Sequence, residues 1–168
     1  QPTALVRDLQ GNLYVSGAAA SGNGDYDIQT IKLDSSLNLQ WQDSWGGSED
    51  DRGLALALDP AGYLYVAGSR GLAGGGEEFT LLQYDVSSGD VNWQHTLPGE
   101  AGGSSVAKAV TVDQRQRAVV SGEVYGTAGQ GAIRTLAFDA NGELAWPHHY
   151  PHQPVSGDAP MQIHASAM

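Results

Sequence analysis

Three short stretches gather residues that could do chemistry. "GGSEDD", at 46–51, places Glu49, Asp50 and Asp51 side by side. Carboxylate oxygens of this kind ligate hard cations such as calcium. A calcium loop usually alternates its acids so that they converge on one ion, and three consecutive acids do not converge in that way. The run therefore reads as a turn, with a calcium contact as the alternative. "GNGDYD", at 22–27, does alternate Asn23, Asp25 and Asp27, but the later acids of a calcium loop are missing. It reads as an exposed loop with Asp/Asn turn chemistry. "HHYPH" holds His148, His149 and His152. Zinc needs three or four ligands in fixed geometry, and Pro147 and Pro151 predict an irregular, solvated loop here instead.

Other chemistries find less support. No G-x-S-x-G elbow is present for nucleophilic catalysis. A glycosidase-like carboxylate pair would need two singled-out acids, and most acids here recur at repeated positions. "GTAGQG" imitates a phosphate loop only weakly, because no helix is expected after it. Trp45 is the one tryptophan outside a repeated column, which makes it the aromatic candidate for ligand contact. The candidate contact set is thus Trp45, Glu49, Asp50 and Asp51. No catalytic, cofactor-binding or metal-ligating set is assigned, and calcium is the only ion kept as an alternative.

The elements that carry these residues repeat. "ALVRDLQGNLYVSG", "ALALDPAGYLYVAG" and "AVTVDQRQRAVVSG" begin at Ala4, Ala55 and Ala109. Asp8, Asp59 and Asp113 hold one column, and Gly17, Gly68 and Gly122 another. A second motif ends at Trp41, Trp93 and Trp146, spaced by 52 and 53 residues, with Asp34, Asp85 and Asp139 before each turn.

Each period reads as four short strands. In the second they are Leu54–Asp59, Tyr63–Gly68, Glu78–Asp85 and Asp90–Leu97, separated by turn residues. The apolar runs are too short for helices. Hairpin-length turns demand antiparallel pairing. Four strands repeated about every 50 residues match a β-propeller blade; a β-sandwich is the alternative, but it predicts no such period. The expected fold is therefore an all-β propeller arc in one domain over 1–168. Its repeats fall near 4–53, 54–105 and 106–158, and 159–168 would start a fourth blade. Three blades fall short of the usual ring of four to eight. The expectation is a fragment, or an arc whose remaining blades come from the same protein or another chain; two such arcs would make about six blades. The shared tryptophan is expected to pack between blades.

Bulk composition agrees. With 168 residues and 40% hydrophobic content, the chain can bury a core. Its 23 glycines favour tight turns over long helices. A net charge of -11, from 19 acids against 8 bases, disfavours nucleic acid and anionic membrane surfaces as partners. Cysteine is absent, so disulfides and thiol chemistry are excluded. No apolar run approaches the roughly 18 residues of a membrane span.

The stretch from Tyr26 to Gly68 resembles the bacterial SBBP-type β-propeller repeat. The residues that carry the resemblance are Lys32, Leu33, Asp34, Trp41, Gly46, Gly47, Ser48, Asp50, Asp51, Asp59, Gly62, Tyr65, Val66 and Gly68. The third repeat follows the pattern loosely. "YDVSSGDVNWQ" is also similar to the tryptophan-ending strand of PQQ-like propeller repeats. The resemblance implies a propeller from an exported protein, placed outside the cell, on its surface or in the periplasm. It implies no catalytic residues. The expected function is a non-catalytic scaffold or binding module contacting a protein or a glycan. The alternatives are a propeller portion of a quinoprotein-like oxidoreductase or hydrolase, and an assembly subunit that completes a ring with another chain.

Overall fold

A computed structural model describes residues 1–129 and 131–151, with side chains through Trp146. The described residues are all-β, with one short 3-10 turn at Glu100–Gly102. The first sheet holds β1 (Pro2–Arg7), β2 (Leu13–Ala20), β3 (Tyr26–Leu33) and β4 (Leu39–Trp45). The second holds β5 (Arg52–Asp59), β6 (Tyr63–Gly71), β7 (Glu77–Asp85) and β8 (Val91–Leu97). The third holds β9 (Ser105–Val112), β10 (Ala118–Tyr125), β11 (Gly131–Phe138) and β12 (Leu144–Pro151). In each sheet the strands lie in chain order and every neighbour is antiparallel. The expected start of a fourth unit at 159–168 lies outside the described residues.

One strand differs from expectation. Pro147 to Pro151, read as an irregular loop, continues β12. The reason is position: β12 is an edge of its sheet. A proline has no N–H to give the ladder, and on an edge strand one side of the ladder needs none. His148 and His149 lie opposite Thr135 and Arg134 in the register; His152 lies outside the described residues.

The repeated aspartates fasten the hairpins. Asp34 Oδ1 accepts the N–H groups of Ser36 and Asn38 at 2.8 and 2.9 Å. Asp85 Oδ1 takes those of Ser87 and Ser88 at 2.7 and 3.1 Å. Asp113 Oδ1 takes those of Arg115 and Arg117 at 2.8 and 3.0 Å, and its Oδ2 holds the Arg117 guanidinium. This is Asx-turn chemistry, in which a side-chain oxygen substitutes for a backbone carbonyl.

The sheets stack face to face with the second in the middle. In β6, Leu64 and Val66 join a cluster with Tyr14, Ile28, Leu82 and Tyr84, facing the first sheet. The alternate residues Tyr65 and Ala67 join Phe79, Leu81, Val120, Leu136 and Phe138, facing the third. Both faces are covered, so β6 and β7 are buried along runs of six consecutive residues. A strand with one wet face would alternate instead.

The two junctions share one device. Trp41 Nε1–H donates to the Val86 carbonyl at 3.0 Å, and Lys32 Nζ donates to that same oxygen at 2.8 Å. One sheet further on, Trp93 Nε1–H and Gln83 Nε2–H both donate to the Ala140 carbonyl at 3.1 Å. Lys32 lies opposite Trp41 in the register, and Gln83 lies opposite Trp93. Each acceptor sits in the turn between the last two strands of the following sheet. That turn also supplies a glycine against the indole. A Cβ on Gly89 would come 2.7 to 3.0 Å from the Trp41 ring, and one on Gly142 would come 2.9 to 3.2 Å from the Trp93 ring. Both glycines have positive φ, +81° and +84°. Aromatic neighbours complete the seat: Tyr14 and Tyr84 around Trp41, and Tyr65 and Phe138 around Trp93.

Gly142→Ala is therefore expected to cost about 2–4 kcal/mol in urea unfolding, from left-handed backbone and overpacking together. Gly74→Ala has the same backbone sign but open space around its Cβ, so its cost should stay near 1–2 kcal/mol.

Acid titration gives a second expectation. Hydrogen bonds from Asn38 hold the Asp34 carboxyl below its ordinary 3.8. Those from Ser87 and Ser88 do the same at Asp85. At Asp113 burial pushes upward, but the Arg117 and Arg115 bonds outweigh it. Depressed folded values stabilise the protein above the unfolded pKa, and that stability is lost as pH falls through the folded values. Unfolding free energy should fall as pH drops below about 4, and Asp85→Asn should flatten that slope.

Candidate functional site

The acidic loop lies where the first two sheets meet. Asp51 is fully buried. Its Oδ2 accepts the Gly47 N–H at 2.7 Å and its Oδ1 accepts the Gly71 N–H at 2.9 Å. The carboxylate thus ties the crossover from β4 to β5 onto the end of β6. Its own N–H donates to the Tyr26 carbonyl at 2.6 Å, which adds the start of β3. Burial raises the Asp51 pKa, against the pull of the Gly47 and Gly71 N–H groups, and the nearby Asp27 charge raises it further. Gly46 is required here, because a Cβ would strike the carboxylates of Asp27 and Asp51.

Asp50 points elsewhere. Its Oδ1 accepts the Tyr26 N–H at 3.2 Å, and its Oδ2 pairs with Arg52 at 3.3 Å. That ion pair is solvent-exposed and adds little stability. Glu49 and Asp50 border an open cleft of about 540 Å³, whose walls also include Asn23, Asp25, Arg52 and Glu77. Three loops build it, from β2–β3, β4–β5 and β6–β7. Among the described residues both carboxylate oxygens of Asp25, and Oδ1 of Asp27, are shielded and have no hydrogen-bond partner. Among the described residues no three His, Asp or Glu side chains are arranged to hold a metal ion.

The four candidate residues thus part company. Glu49 and Asp50 face the cleft. Asp51 serves the backbone of the crossover. Trp45 packs into the cluster between the first two sheets and gives its Nε1–H to Gln94 Oε1 at 2.6 Å. Asp25, Arg52 and Glu77 join the cleft without having been among the four candidates. The alternation in "GNGDYD" signalled Asp25; Glu77 lies in "GGGEE", which keeps charge without a ligand spacing, and only the stacking of sheets brings its loop to the others. No family model and no curated protein matches the chain.

Asp51→Asn tests the crossover role. The amide must point Nδ2 at one of two N–H donors, which leaves a buried donor unpaired. Thermal or urea unfolding at neutral pH should show a loss of about 1–3 kcal/mol, while Asp50→Asn should change stability by less than about 0.5 kcal/mol.

Proposed function

We propose that the chain is an arc of a β-propeller that acts as a non-catalytic scaffold or binding module, contacting a protein or a glycan through the acidic cleft. The observation that carries this reading is the reuse of one junction. Two successive sheet pairs are joined by the same indole, the same turn carbonyl and the same glycine, which is how a radial array of like sheets is built. Resemblance to the SBBP-type repeat supports placing it in an exported bacterial protein. The division of labour among the acids supports a binding role over catalysis. The repeated aspartates are occupied by turns and Asp51 by the crossover. Glu49, Asp50 and Glu77 keep carboxylates on the cleft wall for contact, whereas those of Asp25 are shielded. Carboxylates at a loop-built rim suit sugar hydroxyls or the basic side chains of a protein, and loops on a rigid scaffold are where binding residues concentrate.

NMR titration of the labelled chain with a panel of neutral and basic oligosaccharides and with a poly-lysine peptide tests the reading. Shifts confined to 23–25, 48–52 and 71–77, reduced by Glu49→Gln with Glu77→Gln, are expected. Perturbations mapping away from these loops, or turnover of any panel member, would contradict it.

A further inference from the structure

Two asparagines precede a glycine: Asn23–Gly24 in the β2–β3 loop and Asn141–Gly142 in the β11–β12 turn. Such a pair can modify itself. The backbone nitrogen of the glycine attacks the side-chain carbonyl carbon of the asparagine. Glycine leaves that nitrogen unhindered because it has no β-carbon. The other asparagines precede Leu13, Leu39 and Trp93, whose side chains crowd the attacking nitrogen.

The fold treats the two pairs differently, although Asn23 and Asn141 are both exposed. At Asn141 the attacking group is occupied. Gly142 N–H donates to the Asp139 carbonyl at 3.0 Å, and Asn141 N–H donates to Asp139 Oδ1 at 2.9 Å. The Trp93 indole also lies against Gly142. In the β2–β3 loop the closing bond runs from the Ser21 N–H to the Asp25 carbonyl at 2.9 Å, and it spans the pair without using it. Among the described residues the Gly24 N–H has no hydrogen-bond partner, and Gly24 is itself exposed. A Cβ on Gly22 or Gly24 would meet nothing within 4 Å, so this loop has room to bring the nitrogen onto the carbonyl.

We infer that Asn23 is a modification site, at which attack by the Gly24 nitrogen converts the side-chain amide into an aspartyl or isoaspartyl carboxylate on the wall of the acidic cleft. The Gly24 nitrogen gives its proton to solvent and forms a bond to Cγ of Asn23. The bond from Cγ to the side-chain nitrogen breaks, and that nitrogen takes up a proton and leaves as ammonia. Water then opens the cyclic imide at either carbonyl, which gives aspartate or isoaspartate. Water enters, ammonia leaves, and no oxidant or reductant is needed. Asn23 borders the cleft with Glu49, Asp50 and Glu77, so the conversion adds negative charge there. The chemistry depends on the loop and not on what the cleft binds.

The two pairs provide an internal comparison, since each is followed by an acid, Asp25 and Glu143. The folded chain is held in a mildly alkaline buffer, and its proteolytic peptides are followed by mass spectrometry. The Gly142 bond must open before each attack, so the Asn23 peptide should convert roughly tenfold faster than the Asn141 peptide. In urea the two rates should match. An acidic isoform should build up on ion exchange and be missing from Asn23→Gln, whose longer side chain closes the ring far less readily. The inference is overturned if Asn23 stays unconverted, if Asn141 keeps pace with it in the folded chain, or if Asn23→Gln accumulates the acidic isoform as fast as wild type. It is equally overturned if the rates differ as much in urea, because the contrast would then lie in the sequence and not in the fold.

Discussion

Everything in this structure depends on a single carbonyl oxygen approached by two donors. A sheet of four strands, with hairpin turns of a few residues, is marginal alone, because one uncovered face leaves much of its apolar surface in water. Stability comes from stacking. Stacking buries the turn between the last two strands of the next sheet, and that turn has a carbonyl pointing into the junction. A buried carbonyl without a partner is costly. The indole N–H and the side chain opposite it in the register meet this need. The glycine lets the ring come close enough to do so. Shape, hydrogen bonding and backbone conformation are thereby fixed at one point per junction, and the aliphatic clusters fill in around it.

The constraint explains which parts of the fold the sequence disclosed. The columns of Asp, Gly and Trp repeat with the sheets: the turn aspartates fasten their own hairpins, and Trp41 and Trp93 recur because the same seat recurs. Such features repeat in sequence and can be read there, as the strand limits of the second sheet show. Tyr63–Gly68 and Glu78–Asp85 were short of the observed strands by three residues and one. The edge strand β12 was harder, since prolines signal loops until it is known that the strand lies at the edge of the sheet formed by the described residues.

The candidate site was legible in composition but not in arrangement. Glu49, Asp50 and Asp51 look alike in sequence, yet the first two face the cleft and the third is buried in the crossover. Asp51 differs because Gly47 and Gly71, 24 residues apart, both turn an N–H toward it. No local pattern predicts a bond that spans two sheets. Trp45 was set apart by being outside the repeated column, yet it too packs at a junction, on Gln94 of the next sheet.

The most direct test is the loss of the indole donor alone. Trp41→Phe and Trp93→Phe each keep a ring on the glycine and remove the N–H. Urea unfolding should show each variant less stable by about 1 kcal/mol, and the double variant less stable by close to the sum, because the two junctions share no residue of the device. Unchanged stability in either single variant would contradict the account, since the turn carbonyl would then not depend on the indole that defines the junction.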